Sequence, residues 1–159
     1  MKKLIVLFAV SSVVFWSCNF SVGTKKDLAT GLSVSNSGFS IQESFLVGPD
    51  DTPMKNNEVQ LNSKVAIVIQ GITNYVVEND KAFPGLMLSV TDKNGYAVVD
   101  EADLLSNDGY PASDAAILRG TVTVGEPMKS GETYHIKMRI WDKKKPDSEI
   151  VAECDIVVL

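Results

Sequence analysis

The residues able to do nucleophilic or metal chemistry are few: the chain has two cysteines, Cys18 and Cys154, and one histidine, His135. A cysteine nucleophile needs a neighbouring base and an electropositive opening, and zinc or copper sites need several ligands of these types. The sequence also has no Gly-x-Ser-x-Gly elbow, no Walker loop and no His-Glu-x-x-His pair. We therefore expect no catalytic residue and no enzymatic activity.

The start of the chain has the order of an export signal. Two lysines precede an apolar run over residues 4–16, and Ser17 and Cys18 follow that run. The run is too short to span a bilayer, which takes about 20 apolar residues, and its basic flank is typical of a signal peptide. A cysteine directly after a small residue at this point resembles the lipobox of bacterial lipoproteins.

The resemblance implies that residues 1–17 are a signal peptide and that Cys18 becomes the acylated first residue. Residues 18–30 would then be the lipidated cysteine and a flexible tether, and residues 31–159 the folded domain. The protein is expected in the cell envelope, anchored to a membrane by its lipid and facing the periplasm or the cell surface. An ordinary secretory signal and an uncleaved anchor remain as alternatives.

The charge of the chain limits its partners. Loss of the two N-terminal lysines leaves 13 basic against 20 acidic residues, so the expected mature protein has a net charge of −7. An acidic chain without a basic stripe argues against nucleic acid as a partner. It equally disfavours electrostatic binding to anionic lipid, so attachment would depend on the acyl chains.

Cys154 lies in an alternating segment at the end of the chain. The even positions from Ile150 to Val158 are apolar, whereas Glu153 and Asp155 fall on the other face. We predict that Cys154 is buried and behaves as a small apolar side chain. A disulfide with Cys18 remains possible only if Cys18 carries no lipid.

The remaining apolar clusters have the short period and the spacing of strands. Gly, Pro, Asn and Asp clusters separate them, and no segment sustains a helical period. The sequence therefore predicts an all-β, immunoglobulin-like β-sandwich of seven to eight mostly antiparallel strands. The predicted strands are 31–35, 40–47, 64–72, 86–92, 95–99, 117–124, 133–141 and 149–158.

Two local patterns strengthen this fold prediction. Asn94-Gly95 stands between two strand-like segments and is the signal for a tight hairpin. Gly131 precedes Tyr134 at the start of a predicted strand, which resembles the tyrosine corner of immunoglobulin-like domains. The architecture is shared by many functions, so the resemblance transfers no activity.

The outward faces of the last two predicted strands carry opposite charges. His135, Lys137 and Arg139 lie on one strand, and they would face Glu153 and Asp155 if the two strands form a hairpin. We expect cross-strand charge pairs here. His135 is accordingly predicted to be a solvated sheet residue beside acids.

If successive strands alternate in direction, the connections 73–85, 100–116 and 142–148 emerge together; we call this the loop-rich end. Loops on a rigid sandwich often carry recognition, and aromatic side chains supply much of the energy at protein interfaces. Whether residues 36–38 form a hairpin or a kink decides from which end the tether leaves. The candidate binding residues are Tyr75, Phe83, Tyr110, Trp141, Lys143, Lys144 and Lys145.

The expected function is non-enzymatic protein binding, as an accessory or assembly module for another envelope protein. One alternative is a small-ligand module, in which Tyr75, Tyr110 and Trp141 stack on a glycan or the acids of the second connection hold Ca²⁺. Another is an inhibitor or immunity lipoprotein that presents the 100–116 loop. The weak metal candidates are Asp100, Glu101 and Asp103, and no other cofactor is expected.

Overall fold

The computed structural model of the protein describes residues 22–159. In chain order the elements are β1 (Val22–Lys26), β2 (Ser33–Ser37), β3 (Glu43–Val47), β4 (Glu58–Val59), β5 (Lys64–Gln70), β6 (Lys81–Ala82), β7 (Pro84–Asp92), β8 (Ala97–Glu101), β9 (Tyr110–Pro111), α1 (Ala112–Ala115), β10 (Ile117–Thr123), β11 (Thr133–Asp142) and β12 (Lys145–Val158).

The strands form two facing sheets and one short ribbon. The larger sheet has the order β1-β2-β12-β11-β7-β8, with β4 pairing to the end of β12, and the smaller sheet has the order β10-β5-β3. All pairings in the two sheets are antiparallel except that of β4 with β12. The distribution of strands from β3 to β12 over the two sheets is that of an immunoglobulin-like sandwich, and β1 and β2 extend the larger sheet beside β12.

Alternation along the strands builds the core between the sheets. In β11 the apolar side chains of Tyr134, Ile136, Met138 and Ile140 are all buried, and the residues between them are half exposed. The even positions of β12 are buried in the same way. Because side chains of a strand point alternately to its two faces, one face of each strand packs into the core and the other reaches solvent.

The predicted all-β sandwich is confirmed, and each of the eight predicted strands has a counterpart. The described residues hold four further strands: β1, β4, β6 and β9. They are short or polar, so they lack the apolar alternation that sequence patterns detect. The prediction of a flexible tether is wrong from Val22 onward, because β1 pairs with β2 over its whole length and a turn follows it.

The predicted hairpin between β7 and β8 is confirmed. Asp92 N–H donates to the Tyr96 carbonyl at 2.9 Å, so residues 93–95 form its turn. Gly95 has φ +83°, and its N–H donates to the carbonyl of Asp92 at 3.0 Å. The Asp92 carboxylate accepts the N–H groups of Tyr96 and Asn94, which lowers the pKa of that carboxyl group, the Tyr96 bond having the larger effect. A glycine is favoured here because a positive φ strains residues that have a Cβ.

The chain reverses direction between β2 and β3 and again between β1 and β2. Residues 36 and 37 belong to β2, so the reversal falls at residues 38–42, which carry the chain from the larger sheet to the smaller one. Val22 pairs with Ser37, and Ser37 in turn pairs with Glu149 of β12. Because Glu149 also lies opposite Trp141 of β11, the described chain begins level with the loop-rich end.

Candidate functional site

Three connections meet at the loop-rich end, as alternation of the strands predicts. The connection after β5 pairs with the connection after β8 through the ribbon β6-β9. The third connection is shorter than predicted: β12 begins at Lys145, so only Lys143 and Lys144 lie between β11 and β12. The 100–116 segment is not one structureless loop, because it contains β9 and α1.

Lys143 joins the third connection to the second. Its Nζ lies 2.7 Å from Oδ2 of Asp103 and donates to the carbonyl of Leu105 at 2.9 Å and to Oδ1 of Asn107 at 2.8 Å. Only 16% of the Lys143 side chain is exposed. The Lys143 ammonium group therefore donates its hydrogen bonds to other residues of the protein. It holds residues 103–107 in place, and we call it the clamp of this segment.

Asp103 is the acidic partner of this clamp. Its Oδ1 accepts the N–H groups of Leu86 and Leu105, while Oδ2 faces Lys143. Partial burial favours the neutral acid, but the hydrogen bonds and the charge of Lys143 outweigh it, so the pKa of Asp103 is lowered. The Asp103 carboxylate is thereby committed to protein donors, and among the described residues no group of three or more His, Cys, Asp or Glu could hold a metal ion.

Lys144 joins the third connection to the first. Its Nζ lies 2.7 Å from Oε2 of Glu78 and 4.4 Å from the centre of the Phe83 ring. The backbone N–H of Lys143 also donates to the Phe83 carbonyl at 2.9 Å. The half-buried Phe83 ring thus lies beneath the Lys144 ammonium group, which Glu78 holds in place. This cation–π contact fixes the position of the ring.

Asp142 anchors the base of the third connection and is completely buried. Its two carboxylate oxygens accept the N–H of Val76 at 2.7 Å and the N–H of Lys144 at 2.8 Å. Buried carboxylates are stable when backbone donors satisfy them. The first and third connections are thus joined through a buried charge, which sequence analysis missed because Asp142 looks like an ordinary turn residue.

Tyr75 points inward beside this carboxylate. Its ring packs edge-on against Phe39 with the centroids 4.7 Å apart, and its hydroxyl is buried without a hydrogen-bond partner among the described residues. Burial, and then the charge of Asp142, raise the pKa of Tyr75. The Tyr75 hydroxyl is thus buried within the loop-rich end, and the residue as a whole is half-buried.

The other aromatic candidates are also engaged within the protein. Trp141 lies across Gly85, where a Cβ would collide with its indole ring, and Arg139 stacks 5.2 Å from the ring centre. The Tyr110 hydroxyl accepts the N–H of Ser106 at 3.0 Å, so it closes the turn that precedes it. Both rings are half-buried. Lys145, by contrast, is exposed.

The exposed apolar side chains of the loop-rich end were not among the sequence candidates. Val77 is 49% exposed and Val76 37% exposed in the first connection, and Leu104 is 48% exposed in the second. Their exposure was not predicted because valine and leucine are usually core residues. The only local signal was the pair Val76-Val77 inside a polar loop, since a structureless loop has no need of consecutive apolar residues.

The other described residues that the sequence analysis singled out lie along β11 and β12. Cys154 is free and buried, and burial raises its pKa to about 12, so the predicted parity of β12 is confirmed. His135 pairs with Asp155 at 2.8 Å and Lys137 with Glu153 at 2.9 Å, as expected. Arg139 instead pairs with Glu149, at 2.7 Å. Cys18, the predicted lipidation site, lies outside the described residues.

The end of the sandwich opposite the loop-rich end carries the predicted tyrosine corner and two shallow grooves. The Tyr134 hydroxyl accepts the N–H of Lys129 at 2.9 Å, which fixes the turn before β11. Grooves of about 350 and 480 Å³ flank Pro127, and Tyr96, 74% exposed, borders the first. No ion pair of Lys129 occurs among the described residues.

Comparison with protein-family models gives no match, and comparison with curated proteins gives none either. From residue 22 to residue 159, no helix is long and apolar enough to cross a membrane.

Proposed function

We propose that the protein is a membrane-anchored cell-envelope lipoprotein whose sandwich binds another envelope protein through the loop-rich end. It is a non-enzymatic accessory or assembly module in this proposal. The observation that supports it best is the bracing of the three connections by Lys143 and Lys144, which holds Val76, Val77 and Leu104 exposed on a fixed framework.

A braced surface favours binding because association must offset the loss of loop and side-chain freedom. Ordering a mobile side chain costs about 0.5–1.5 kcal/mol on binding. Here the clamp residues Lys143 and Asp103 are already held by several partners, so much of that ordering precedes the encounter. Exposed valine and leucine side chains supply the apolar contact that a protein partner can bury.

The proposed anchor fits the course of the chain. Cys18 precedes Val22 by four residues, which span at most about 14 Å when fully extended. Because Val22 is level with the loop-rich end, a lipid on Cys18 would keep that end close to the membrane. The proposed partner is therefore a protein in, or bound to, the same membrane.

The two alternative functions have less support. A glycan platform needs exposed aromatic faces, but Tyr75 is turned inward and the Trp141 ring lies against Gly85 and Arg139. An inhibitor needs a protruding loop, whereas the segment 100–116 is tied down by Lys143 and by the β6-β9 ribbon. Both features favour a broad protein contact over either alternative.

Site-specific photo-crosslinking in native membranes tests the binding surface. A photo-reactive residue at Val77 or Leu104 is expected to give a discrete protein adduct, and the same residue at Tyr96 is the matched control, since it is exposed at the opposite end. Adducts at Tyr96 alone, or adducts at neither end, would refute the loop-rich end as the contact surface.

Metabolic labelling with a palmitate analogue tests the anchor separately. The wild-type chain should incorporate the label and remain with the membrane fraction, and Cys18→Ala should lose both properties. A labelled Cys18→Ala chain, or an unlabelled wild-type chain, would show that the lipobox resemblance is misleading. Neither result depends on the identity of the partner.

A further inference from the structure

Within residues 22–159 the strand orders begin and end with β1 and β8 in the larger sheet and with β10 and β3 in the smaller one. Three of these four edge strands carry protective features. β1 ends in Lys25 and Lys26, and β8 has a register irregularity and ends in Asp100 and Glu101. The free edge of β3 is covered by residues 52–54: Met54 N–H donates to the Leu46 carbonyl at 2.8 Å. Charges, bulges and covering segments are the usual means by which edges avoid pairing with other chains.

β10 is the edge strand that lacks these features. It pairs with β5 over seven residues in an unbroken register, and the described residues place no strand on its other side. It contains neither proline nor lysine, and its one charged residue is Arg119, which pairs with Asp51. A long, regular and nearly uncharged edge of this kind is a template for another strand.

The hydrogen-bonding pattern shows which backbone groups are free. Val124 N–H donates to the Ser63 carbonyl at 2.9 Å, which continues the ladder between β10 and β5. Backbone groups point alternately to the two sides of a strand, so those of Leu118, Gly120 and Val122 face β5. The groups that face away from β5 belong to Ile117, Arg119, Thr121 and Thr123.

We infer that this edge binds a second copy of the chain, with the two β10 strands antiparallel about a twofold axis at Gly120. In that register Ile117 lies opposite Thr123 of the other copy, and Arg119 lies opposite Thr121. All the free backbone groups then find partners, and no like charges stand directly opposite each other. The three-stranded smaller sheets of the two copies would join into one continuous six-stranded sheet.

The outer face of the smaller sheet carries apolar residues beside this edge. Its apolar residues Phe45, Val47, Ala66 and Val68 form a cluster separate from the main core, and Ile117, 55% exposed, borders the groove beside them. An antiparallel sheet usually has one solvated face, so this apolar face is unusual. In the joined sheet each exposed Ile117 side chain would lie on the same face as Thr123 of the other copy and directly beside it. The inference does not depend on the lipid anchor.

Disulfide crosslinking tests the register. In a full-length Cys18→Ser chain purified in detergent, only an introduced cysteine would be accessible, because Cys154 is buried. Arg119→Cys mixed with Thr121→Cys should form a linked dimer under oxidation, since directly opposed residues lie about 5.5 Å apart. Arg119→Cys alone should not, because two copies of position 119 are also offset by about 6.7 Å along the strands.

Ile117→Cys with Thr123→Cys is a second matched pair, and Arg119→Cys with Thr123→Cys is the mismatched control. Crosslinking of the matched mixtures alone supports the inferred dimer. Equal crosslinking of matched and mismatched mixtures, or none in any mixture, overturns it.

Charged substitutions at Thr121 test the dimer independently, through its sedimentation. Thr121→Lys puts a like charge opposite Arg119 of the second copy and should shift sedimentation towards the monomer; Thr121→Glu puts the opposite charge there and should shift it towards the dimer. Both substitutions are on an exposed position, so the fold should be retained. A chain that sediments as a monomer at every concentration, or that responds equally to both variants, overturns the inference.

Discussion

The Nζ atom of Lys143 lies 2.7 Å from the carboxylate of Asp103, although the two residues stand in different connections of the sandwich. Around this pair, the carbonyl of Leu105 and the amide oxygen of Asn107 accept further bonds from the same ammonium group. One side chain of the third connection thus holds three residues of the segment 103–107.

Lys143→Met should loosen the loop-rich end without unfolding the core. Methionine keeps most of the aliphatic stem but leaves the carboxylate of Asp103 and the Leu105 carbonyl without their donor, at a cost of about 1–3 kcal/mol. Hydrogen exchange of residues 103–107 should accelerate more than exchange in β11. Lys145→Met is the matched control, because Lys145 is exposed, and equal effects of the two variants would contradict the clamp.

Asp103 should make stability depend on pH in the acid range. Its pKa is lowered from 3.8, so its contribution is fully present above the unfolded-state pKa and is lost as the pH falls through the lower folded-state value. Asp103→Asn should therefore destabilise the protein by about 1 kcal/mol near pH 6 and have a smaller effect near pH 3. Urea unfolding at the two pH values measures this difference, and a constant difference would show that the charge of Asp103 contributes nothing.

Cys154 should be unreactive in the folded protein. Burial raises its pKa to about 12, and the thiolate is the reactive form, so a thiol reagent should modify Cys154 only after denaturant is added. Cys154→Ser should lower the free energy of unfolding by about 1–3 kcal/mol, because a hydroxyl replaces a thiol in an apolar environment. Rapid modification under native conditions, or an unchanged stability of the serine variant, would mean that position 154 is accessible.

Tyr134→Phe should destabilise the turn before β11. The phenylalanine ring can fill the same buried space, but the Lys129 N–H loses its acceptor, which we expect to cost about 1 kcal/mol. Tyr96→Phe is the matched control, because Tyr96 is 74% exposed and its loss of a hydroxyl should be neutral. Thermal unfolding of the two variants compares them directly. Equal stability of the Tyr134→Phe and Tyr96→Phe proteins would show that the hydrogen bond of the tyrosine corner does not stabilise the fold.

Much of the fold follows from short-range patterns. Alternation at Tyr134, Ile136, Met138 and Ile140 indicates one buried face, and the same pattern places Cys154 in the core. A strand has a side-chain period of two residues whatever it pairs with, so these assignments need no knowledge of the partner strand. The Asn94-Gly95 turn is equally local, because the positive φ of Gly95 is a property of that residue.

The candidate site was predicted less completely. The convergence of the three connections follows from alternating strand directions, but the inward direction of Tyr75 and the role of Lys143 do not. Lys143 and Leu105 are 38 positions apart in the chain, and their contact depends on how two connections fold over the sandwich. A tyrosine or lysine in a loop has the same local pattern whether it is exposed or committed to such a contact.

By itself the sequence determined the all-β class, the identity of the main strands, the faces they bury and the burial of Cys154. Only the tertiary structure decided that the polar segment Val22–Lys26 is a strand, that the charges of the loop-rich end bind one another, and that β10 is an edge without protection. The physical reason is that hydrophobic periodicity is a property of neighbouring residues, whereas ladder pairing, ion pairing and edge exposure depend on which distant segments lie side by side.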